Sequence, residues 1–295
     1  MKLRTAALVC ASILCFSGNS LICKAALGPG LIGPSEFTLV RMLAGALVLG
    51  VIARFRGRGS ARSVTPASSA LALFAYAAFF SLAYVRLDAG IGALVLFGSV
   101  QATILFWKLR EGEPLSAGAG FGLAIALAGL TLLTLPGKDA PDLIGVFLMA
   151  AAGGGWGAYT LKGRVAADPL ATTATNFLRA VPLALLFFAA VGATRPHASG
   201  PGLALAALSG AVTSGLGYAI WYSVVPSLGT LRAGVVQLAV PPATLAAAVL
   251  LLGERFTPRA IAAALLILLG IATVLKAGGR RTHLTPLGPR EKVAP

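Results

Sequence analysis

The acidic and imidazole side chains of this sequence are few and scattered. All nine Asp and Glu residues lie away from the middle of the long apolar stretches, and the two histidines, His197 and His283, lie in a loop and in the C-terminal tail. Acid–base catalysis and Mg²⁺ binding need such groups in clusters. No nucleophile–base set and no nucleotide-binding motif is recognisable. The sequence therefore predicts no enzyme, no metal site, no cofactor and no use of ATP.

Three uncharged polar residues, Asn19, Gln101 and Gln237, lie near the middle of apolar stretches. An amide without a hydrogen-bond partner costs free energy in lipid, so these side chains are expected to face the interior of a helix bundle. Hydrogen bonding between helices is one interpretation of this position. Lining of a polar cavity is the other, and the residues alone leave both open.

Aromatic residues provide a second set of candidates. Tyr76 and Trp156 lie deep within apolar stretches, where they are expected to line a largely apolar pocket. Tyr159 and Tyr218 are grouped with them as binding candidates. Tyr84, Trp221 and Tyr222 lie nearer segment ends, a position typical of the aromatic belt at a membrane surface.

Two arginines lie within apolar stretches, at Arg41 and Arg179. Arg41 is about seven residues into its segment, roughly 10 Å along a helix axis. Such a charge could clamp an anionic group or form a gating ion pair, since it normally faces protein or water. Snorkelling to head groups or binding of loop carbonyls is the structural interpretation, and we favour it. Glu36 is expected to meet Lys24 in an interfacial ion pair or to lie at a solvated segment end.

The composition indicates a membrane protein. The chain is 57% hydrophobic and 11% charged, whereas soluble proteins carry about 25% charged residues. Several uncharged stretches reach the roughly 18–20 residues needed to cross a bilayer. Ten transmembrane helices are predicted, at 4–25, 34–53, 66–85, 89–108, 115–135, 141–161, 170–192, 201–222, 230–252 and 257–276.

The net charge of +15 comes from Lys and Arg at segment ends and in short loops. This distribution is typical of the positive-inside rule and does not favour binding to nucleic acid. With a cytoplasmic N-terminus, sixteen Lys and Arg fall on the inner side and six on the outer side. Both termini are therefore expected in the cytoplasm, with the lipid bilayer as the surrounding partner.

The two halves of the chain share a pattern. Lys24 and Arg41 recur 138 residues later as Lys162 and Arg179. Further matches, 141 residues apart, join Ala102-Thr103, Leu109, Gly112-Glu113 and Gly129 to Ala243-Thr244, Leu250, Gly253-Glu254 and Gly270. Each half holds five segments, an odd number, so the second half is predicted to enter the membrane in the opposite orientation.

This order of motifs resembles the EamA family of the drug/metabolite transporter superfamily, over about residues 5–276. The resemblance implies an all-α membrane protein of ten helices in two inverted five-helix repeats, with a central cavity that both halves share. It also implies transport of small metabolites, often export, and places Asn19, Gln101 and Gln237 on cavity helices, which favours their lining role. The predicted units are 1–136, 137–276 and a basic, disordered cytoplasmic tail, 277–295.

One departure from the family pattern concerns the fourth and ninth segments. Members often carry a proline near the middle of both, but here Pro241-Pro242 in the ninth corresponds to Val100-Gln101 in the fourth. A proline in the middle of a helix leaves a carbonyl unpaired and permits a kink. The two halves are therefore expected to bend unequally.

Small residues recur along the fifth segment at Gly118, Gly122, Ala126 and Gly129. Such a stripe lets helices approach closely. It predicts packing of the fifth segment on the tenth, or a homodimer face.

These observations together predict a bacterial inner-membrane carrier, secondary or facilitative, that moves a small organic metabolite by alternating access. Its substrate is expected to have an apolar body and few charges. A flippase-like protein that handles lipid is the alternative, and a membrane-embedded enzyme is a weaker one.

Overall fold

The computed structural model describes residues 3–55, 66–112, 116–137, 140–163, 166–192 and 196–279. Within these ranges the chain is helical apart from short turns and one isolated bridge between Ile32 and Ala198. The helices are α1 (Leu3–Leu27), α2 (Pro34–Phe55), α3 (Ala67–Tyr84), α4 (Ala89–Arg110), α5 (Ala117–Thr134), α6 (Leu143–Gly163), α7 (Pro169–Phe187), α8 (Gly200–Leu208), α9 (Gly217–Gln237), α10 (Val240–Leu252) and α11 (Pro258–Gly279). Two π-helical stretches complete them: Phe188–Gly192 continues α7, and Ser209–Leu216, here called the π stretch, joins α8 to α9.

In the described ranges, nine helical stretches are long and apolar enough to cross a membrane, and α10 is a shorter apolar helix. Helices suit a bilayer because each one satisfies its own backbone hydrogen bonds. The prediction of an all-helical, multi-pass membrane protein is confirmed.

Local sequence explains where several helices begin. The side chains of Ser116, Asp168 and Ser199 accept hydrogen bonds from the first free amides of α5, α7 and α8. Such caps satisfy donors that have no partner within the helix. Polar residues at or near the predicted segment ends therefore fix where these helices begin.

The region of the predicted ninth segment differs from the prediction. The predicted segments 201–222 and 230–252 leave a break at 223–229, which contains Pro226. Instead, α9 continues through residue 226 to Gln237, and the chain turns at residues 238–239 before α10 begins. The turn falls here because Pro241 and Pro242 have no amide hydrogen for the carbonyls of the preceding turn. The corresponding part of the first half, α4, is continuous. The predicted unequal bending of the two halves is thus found, as a break rather than a kink.

Corresponding helices make corresponding contacts. The second and seventh spans, α2 and α7, pack on each other. In the first predicted half, α3 and α4 both pack on α6 of the second. In the second predicted half, α8 with the π stretch corresponds to α3, α10 corresponds to α4, and both pack on α1 of the first. Two structurally similar halves would produce such a pair of equivalent contacts. The boundaries at 136 and 276 stay predictions.

The most extensive helix pair joins α5 and α11. A Cβ atom added at Gly122 would lie 2.7 Å from the Gly270 carbonyl oxygen, and one at Gly129 would lie 2.9 Å from that of Ala263. Glycine is therefore needed for this close approach. The predicted packing of the fifth segment on the tenth is found.

Part of the sequence pattern lies beyond the described ranges. Glu113 of the first Gly-Glu pair is outside them, and so are residues 280–295 of the predicted tail. Many of the basic residues that support the predicted orientation are outside them as well.

Candidate functional site

A small cavity lies near the middle of the bundle. Asn19 and Tyr76 line it, and each lies eight residues from the end of its helix, about 12 Å along the axis. Its volume is about 30 Å³, room for about two water molecules. An organic solute would require it to widen. The lining residues are Phe16, Asn19, Ser20, Tyr76, Phe80, Leu96, Phe97, Trp156, Thr213, Ser214, Tyr218 and Gln237.

Most of the predicted binding residues meet at this cavity. Its lining includes Asn19, Tyr76, Trp156, Tyr218 and Gln237. Tyr159 is buried behind the wall: its hydroxyl donates to the Thr173 hydroxyl at 3.3 Å, and its ring centroid is 5.6 Å from that of Trp156. Gln101 is half-buried on α4 and does not line the cavity.

Asn19 links three helical elements by hydrogen bonds. Its Nδ2 donates to the Tyr76 hydroxyl at 3.3 Å. Its Oδ1 accepts from the hydroxyls of Ser209 at 2.8 Å and Thr213 at 3.1 Å. Both ends of the amide are thus satisfied by protein, so the two interpretations that the sequence left open apply together: Asn19 bonds helices and also lines the cavity.

The π stretch supplies polar residues that the sequence analysis did not select. Ser209, Thr213 and Ser214 are all buried, and the last two line the cavity. A π-helical segment often marks a functional site. Gly210 lets it approach α2, because a Cβ at this position would overlap the carbonyl oxygen of Arg41. The polar run from Ser209 to Ser214 inside an apolar segment was the available signal.

Aromatic rings form much of the cavity wall. The Trp156 ring centroid lies 5.0 Å from that of Tyr76 and 5.3 Å from that of Tyr218. The Tyr76 centroid lies 5.3 Å from that of Phe80. These spacings fall within the favourable range for aromatic pairs. The wall is therefore apolar over most of its area, with hydroxyl and amide groups at a few points.

The aromatic belt prediction is wrong for two of its three residues. Tyr84 and Trp221 are buried in the bundle rather than exposed at its surface. The Tyr84 hydroxyl donates to the Ala89 carbonyl at 3.3 Å, and its ring packs on Phe80 at a centroid distance of 4.7 Å. Neighbouring helices cover these rings, which position along the chain alone does not reveal.

The two candidate arginines differ in environment. Arg41 is 1% exposed, while Arg179 is exposed on α7. Arg41 Nε donates to the Ser214 hydroxyl at 3.1 Å and Nη2 to the Tyr76 hydroxyl at 3.2 Å. The favoured interpretation, snorkelling or binding of loop carbonyls, is therefore wrong for Arg41. Packing of α2 against α7 and the π stretch encloses this guanidinium beside the cavity.

Glu36 and Lys24 do not form the expected ion pair. Lys24 Nζ lies 3.8 Å from a carboxylate oxygen of Asp88 rather than pairing with Glu36. Glu36 is buried, and it accepts from the Ser35 hydroxyl at 2.7 Å and the His197 amide at 3.1 Å. Glu36 thus holds a loop against the start of α2. Lys162 Nζ donates to the Ser68 hydroxyl at 3.1 Å.

Glu254 joins the two predicted halves at the same end of the bundle as Lys24. Its carboxylate accepts from the amides of Ala89 at 2.6 Å and Gly90 at 3.2 Å, at the start of α4. The partial positive charge of a helix N-terminus favours this carboxylate. Burial nevertheless raises the pKa of Glu254, the backbone hydrogen bonds lower it, and the nearby Asp88 raises it further.

A second cavity, of about 280 Å³, lies at this end between the loops. Arg86 and Asp142 form an exposed ion pair at 3.3 Å on its rim. In the part of the chain that the structure describes, no group of three His, Cys, Asp or Glu is placed to hold a metal ion.

Comparisons with known proteins bear on this arrangement. A solved crystal structure has a TM-score of 0.65 to this chain at 19% identity, covering 93% of this chain and 98% of its own, which speaks to the fold alone. An uncharacterized protein of Pseudomonas aeruginosa is 49% identical over 273 residues, 92% of this chain and 94% of that relative. The model of the EamA-like transporter family matches residues 143–276. With its apolar helices and central cavity, the chain belongs to the EamA-like transporter family, whose members are membrane transporters of the drug/metabolite type.

Proposed function

We propose that the protein is a secondary or facilitative carrier that exports a small organic metabolite, such as an amino acid, by alternating access. One observation carries this proposal: a cavity with aromatic walls and a few polar groups lies near the middle of the helix bundle, where both predicted halves contribute to it. The first half contributes residues of α1, α3 and α4, and the second half contributes α6, the π stretch and α9. Sites shared between inverted repeats are typical of secondary transporters.

The break before α10 supports the same proposal. Gln237, at the end of α9, lines the cavity, and the chain leaves the helix directly after it. Interrupted helices near the middle of a membrane are typical of transporter binding sites, since irregular backbone is tolerated where it borders a cavity. Rocking of the halves 1–136 and 137–276 about this point would widen the 30 Å³ cavity.

The proposal includes a place and an orientation. We infer a bacterial inner membrane, crossed several times, because the 49% identical relative is a bacterial protein. We infer that both termini are cytoplasmic because the Lys and Arg distribution favours this orientation. A homodimer is part of the proposal as well. Its contact face would be the exposed side of α5 that carries Phe121 and Leu127.

Transport by purified protein in liposomes tests the function. Liposomes loaded with radiolabelled amino acids, one at a time, are expected to release at least one of them faster than protein-free vesicles, without ATP. Gln237→Phe, which narrows the cavity, is expected to slow release. Leu250→Phe on the exposed face of α10 is the matched control and should leave it unchanged.

Two outcomes oppose the proposal. If every amino acid is released no faster than from protein-free vesicles, transport of an amino acid is contradicted. If the same vesicles move fluorescent phospholipid between leaflets, and Gln237→Phe slows that movement, the lipid-handling alternative replaces it.

A further inference from the structure

Among the described residues, the groups that hold the guanidinium of Arg41 are neutral. Its donors reach the hydroxyls of Ser214 and Tyr76. Its central carbon lies 5.2 Å from the ring centroid of Tyr76 and 5.3 Å from that of Phe80. Aromatic faces and hydroxyls solvate a cation, but none of them neutralises it.

The charge of Arg41 has no counter-ion among the described residues. No carboxylate of that part of the chain lies within 4 Å of it, and its Nη1 has no hydrogen-bond partner. The acid nearest along its helix, Glu36, is bound to Ser35 and His197. A buried, unpaired charge is costly, and an ionisable residue inside a membrane bundle usually serves function.

The position of this charge relates it to the central cavity. All three groups around the guanidinium, Tyr76, Phe80 and Ser214, also line the cavity. Arg41 therefore lies behind the wall, against side chains that a solute in the cavity would also contact. Movement of that wall as the cavity widens would expose Nη1, a donor that has no partner in the closed cavity. The hydroxyls of Tyr76 and Ser214 would lie beside it.

We propose that Arg41 is the anion-recognition element of the transporter and that the substrate is an organic monocarboxylate with an apolar body. This inference rests on the proposed transport function. A planar guanidinium matches the geometry of a carboxylate better than any other side chain. One cation without a counter-ion calls for one negative charge. The rings of Phe16, Phe97 and Trp156 surround the space that remains for the apolar body.

The wild-type protein alone tests this charge preference. Thermal unfolding of the detergent-purified full chain is followed with phenylacetate, phenylacetamide and phenethylamine, which share one apolar body, and with 4-methylpentanoate and its amide, at constant ionic strength. A ligand that binds only the folded state raises the melting temperature. The carboxylates are expected to raise it, and the amides and the amine are not.

Variants then assign the preference to Arg41. Arg41→Gln is expected to weaken carboxylate binding by about tenfold or more, the effect of losing a charge-assisted hydrogen bond. Arg41→Lys keeps the positive charge but lacks the planar guanidinium, so this variant should bind the carboxylate with intermediate affinity. Arg179→Gln, at the corresponding position of α7, is the matched control and should bind like the wild type.

The ligand-free melting temperature separates this role from a structural one. Because no counter-ion is lost, Arg41→Met is expected to melt at or above the wild-type temperature while the carboxylate shift disappears. A residue held only for stability would give a large fall instead.

Several results would overturn the inference. They are amides or amines that stabilise the wild type as well as the carboxylates do, no shift with any carboxylate, or an Arg41→Gln protein that keeps its shift. Transport distinguishes the two levels. Neutral metabolites carried equally by wild-type and Arg41→Gln protein would leave the proposed function standing and remove this inference. Carboxylates that bind through Arg41 but never cross would do the reverse.

Discussion

Arg41 and Arg179 occupy corresponding positions of the two predicted halves, yet their surroundings differ. Arg41 is enclosed beside the cavity, and Arg179 is exposed on α7. On α2, the face that carries Arg41 is covered by other helices, including the π stretch. On α7, the neighbouring Leu178 and Leu186 are 66% and 67% exposed, so other helices leave this face largely exposed.

The difference shows what an internal repeat does and does not determine. It sets the depth of a residue along its helix, because depth depends on the length of the apolar stretch. It does not determine whether that residue is enclosed, because this depends on the other helices that pack around it, including those of the other predicted half. Here α8 continues as a π stretch and α3 does not, so the two arginines meet unequal neighbours. We expect specificity to reside where the π stretch of the second predicted half meets Arg41 of the first.

Gly210 provides the strongest way to break this comparison at its cause. Gly210→Ala would force the π stretch away from α2, because the added Cβ would overlap the Arg41 carbonyl oxygen and lie 2.8 Å from the Ala44 Cβ. Such overpacking costs about 1–3 kcal/mol. A lower melting temperature and loss of the carboxylate shift are both expected in thermal unfolding.

Gly50→Ala is the matched control for this experiment. Gly50 lies in α2, the helix that Gly210 approaches, and a Cβ there meets no atom within 4 Å. Alanine has the higher helix propensity, so stability should stay equal or rise by up to about 1 kcal/mol. Equal melting temperatures for the two variants would show that the close approach of the π stretch is not required.

The sequence predicts much of the fold because the relevant signals are local. Apolar length gives the spans, and residues such as Ser116 and Asp168 mark where helices begin. The predicted break was placed at 223–229, but it lies at residues 238–239. A membrane helix can continue through a single proline such as Pro226, but not easily through the pair Pro241-Pro242.

The candidate site was predictable in part for the same reason. Asn19, Tyr76 and Trp156 stand out as polar or aromatic groups in apolar stretches, and they do reach the cavity. Gln101 looks equivalent in sequence, but the continuous helix α4 directs other residues to the cavity. The enclosure of Arg41 arises only from packing of separate helices, which no local pattern contains.

Glu254 extends the comparison of the two predicted halves to a contact between them, since its carboxylate accepts from the amides of Ala89 and Gly90. Since burial raises its pKa above the unfolded value, the protonated form is favoured in the folded protein. Its contribution to stability is therefore fully present below the unfolded pKa and is lost as pH rises through the folded pKa. Asp88 and Lys24 are the charged groups that face it, and they act in opposite directions.

The expected result is a stability difference that depends on pH. As pH falls from 7 to 5, wild-type protein should gain melting temperature relative to Glu254→Gln, which cannot titrate. Glu111→Gln, at an exposed carboxylate at the opposite end of α4, controls for general charge effects. A difference between wild type and Glu254→Gln that stays constant over this range would contradict the assignment.

Lys24 and Lys162 give the smallest and cleanest version of the comparison, because both end a first helix of their predicted half. Lys24 approaches the carboxylate of Asp88 at 3.8 Å, whereas Lys162 donates to the neutral hydroxyl of Ser68. A partly exposed ion pair is worth about 0–1 kcal/mol and is screened by salt. Lys24→Met should therefore lower the melting temperature slightly in dilute buffer and less in about 1 M NaCl, where the Debye length is roughly 3 Å. Lys162→Met should cost the same at both salt concentrations. Equal salt dependence of the two variants would mean that the halves use these lysines alike, and the contrast seen at Arg41 and Arg179 would then be confined to the cavity.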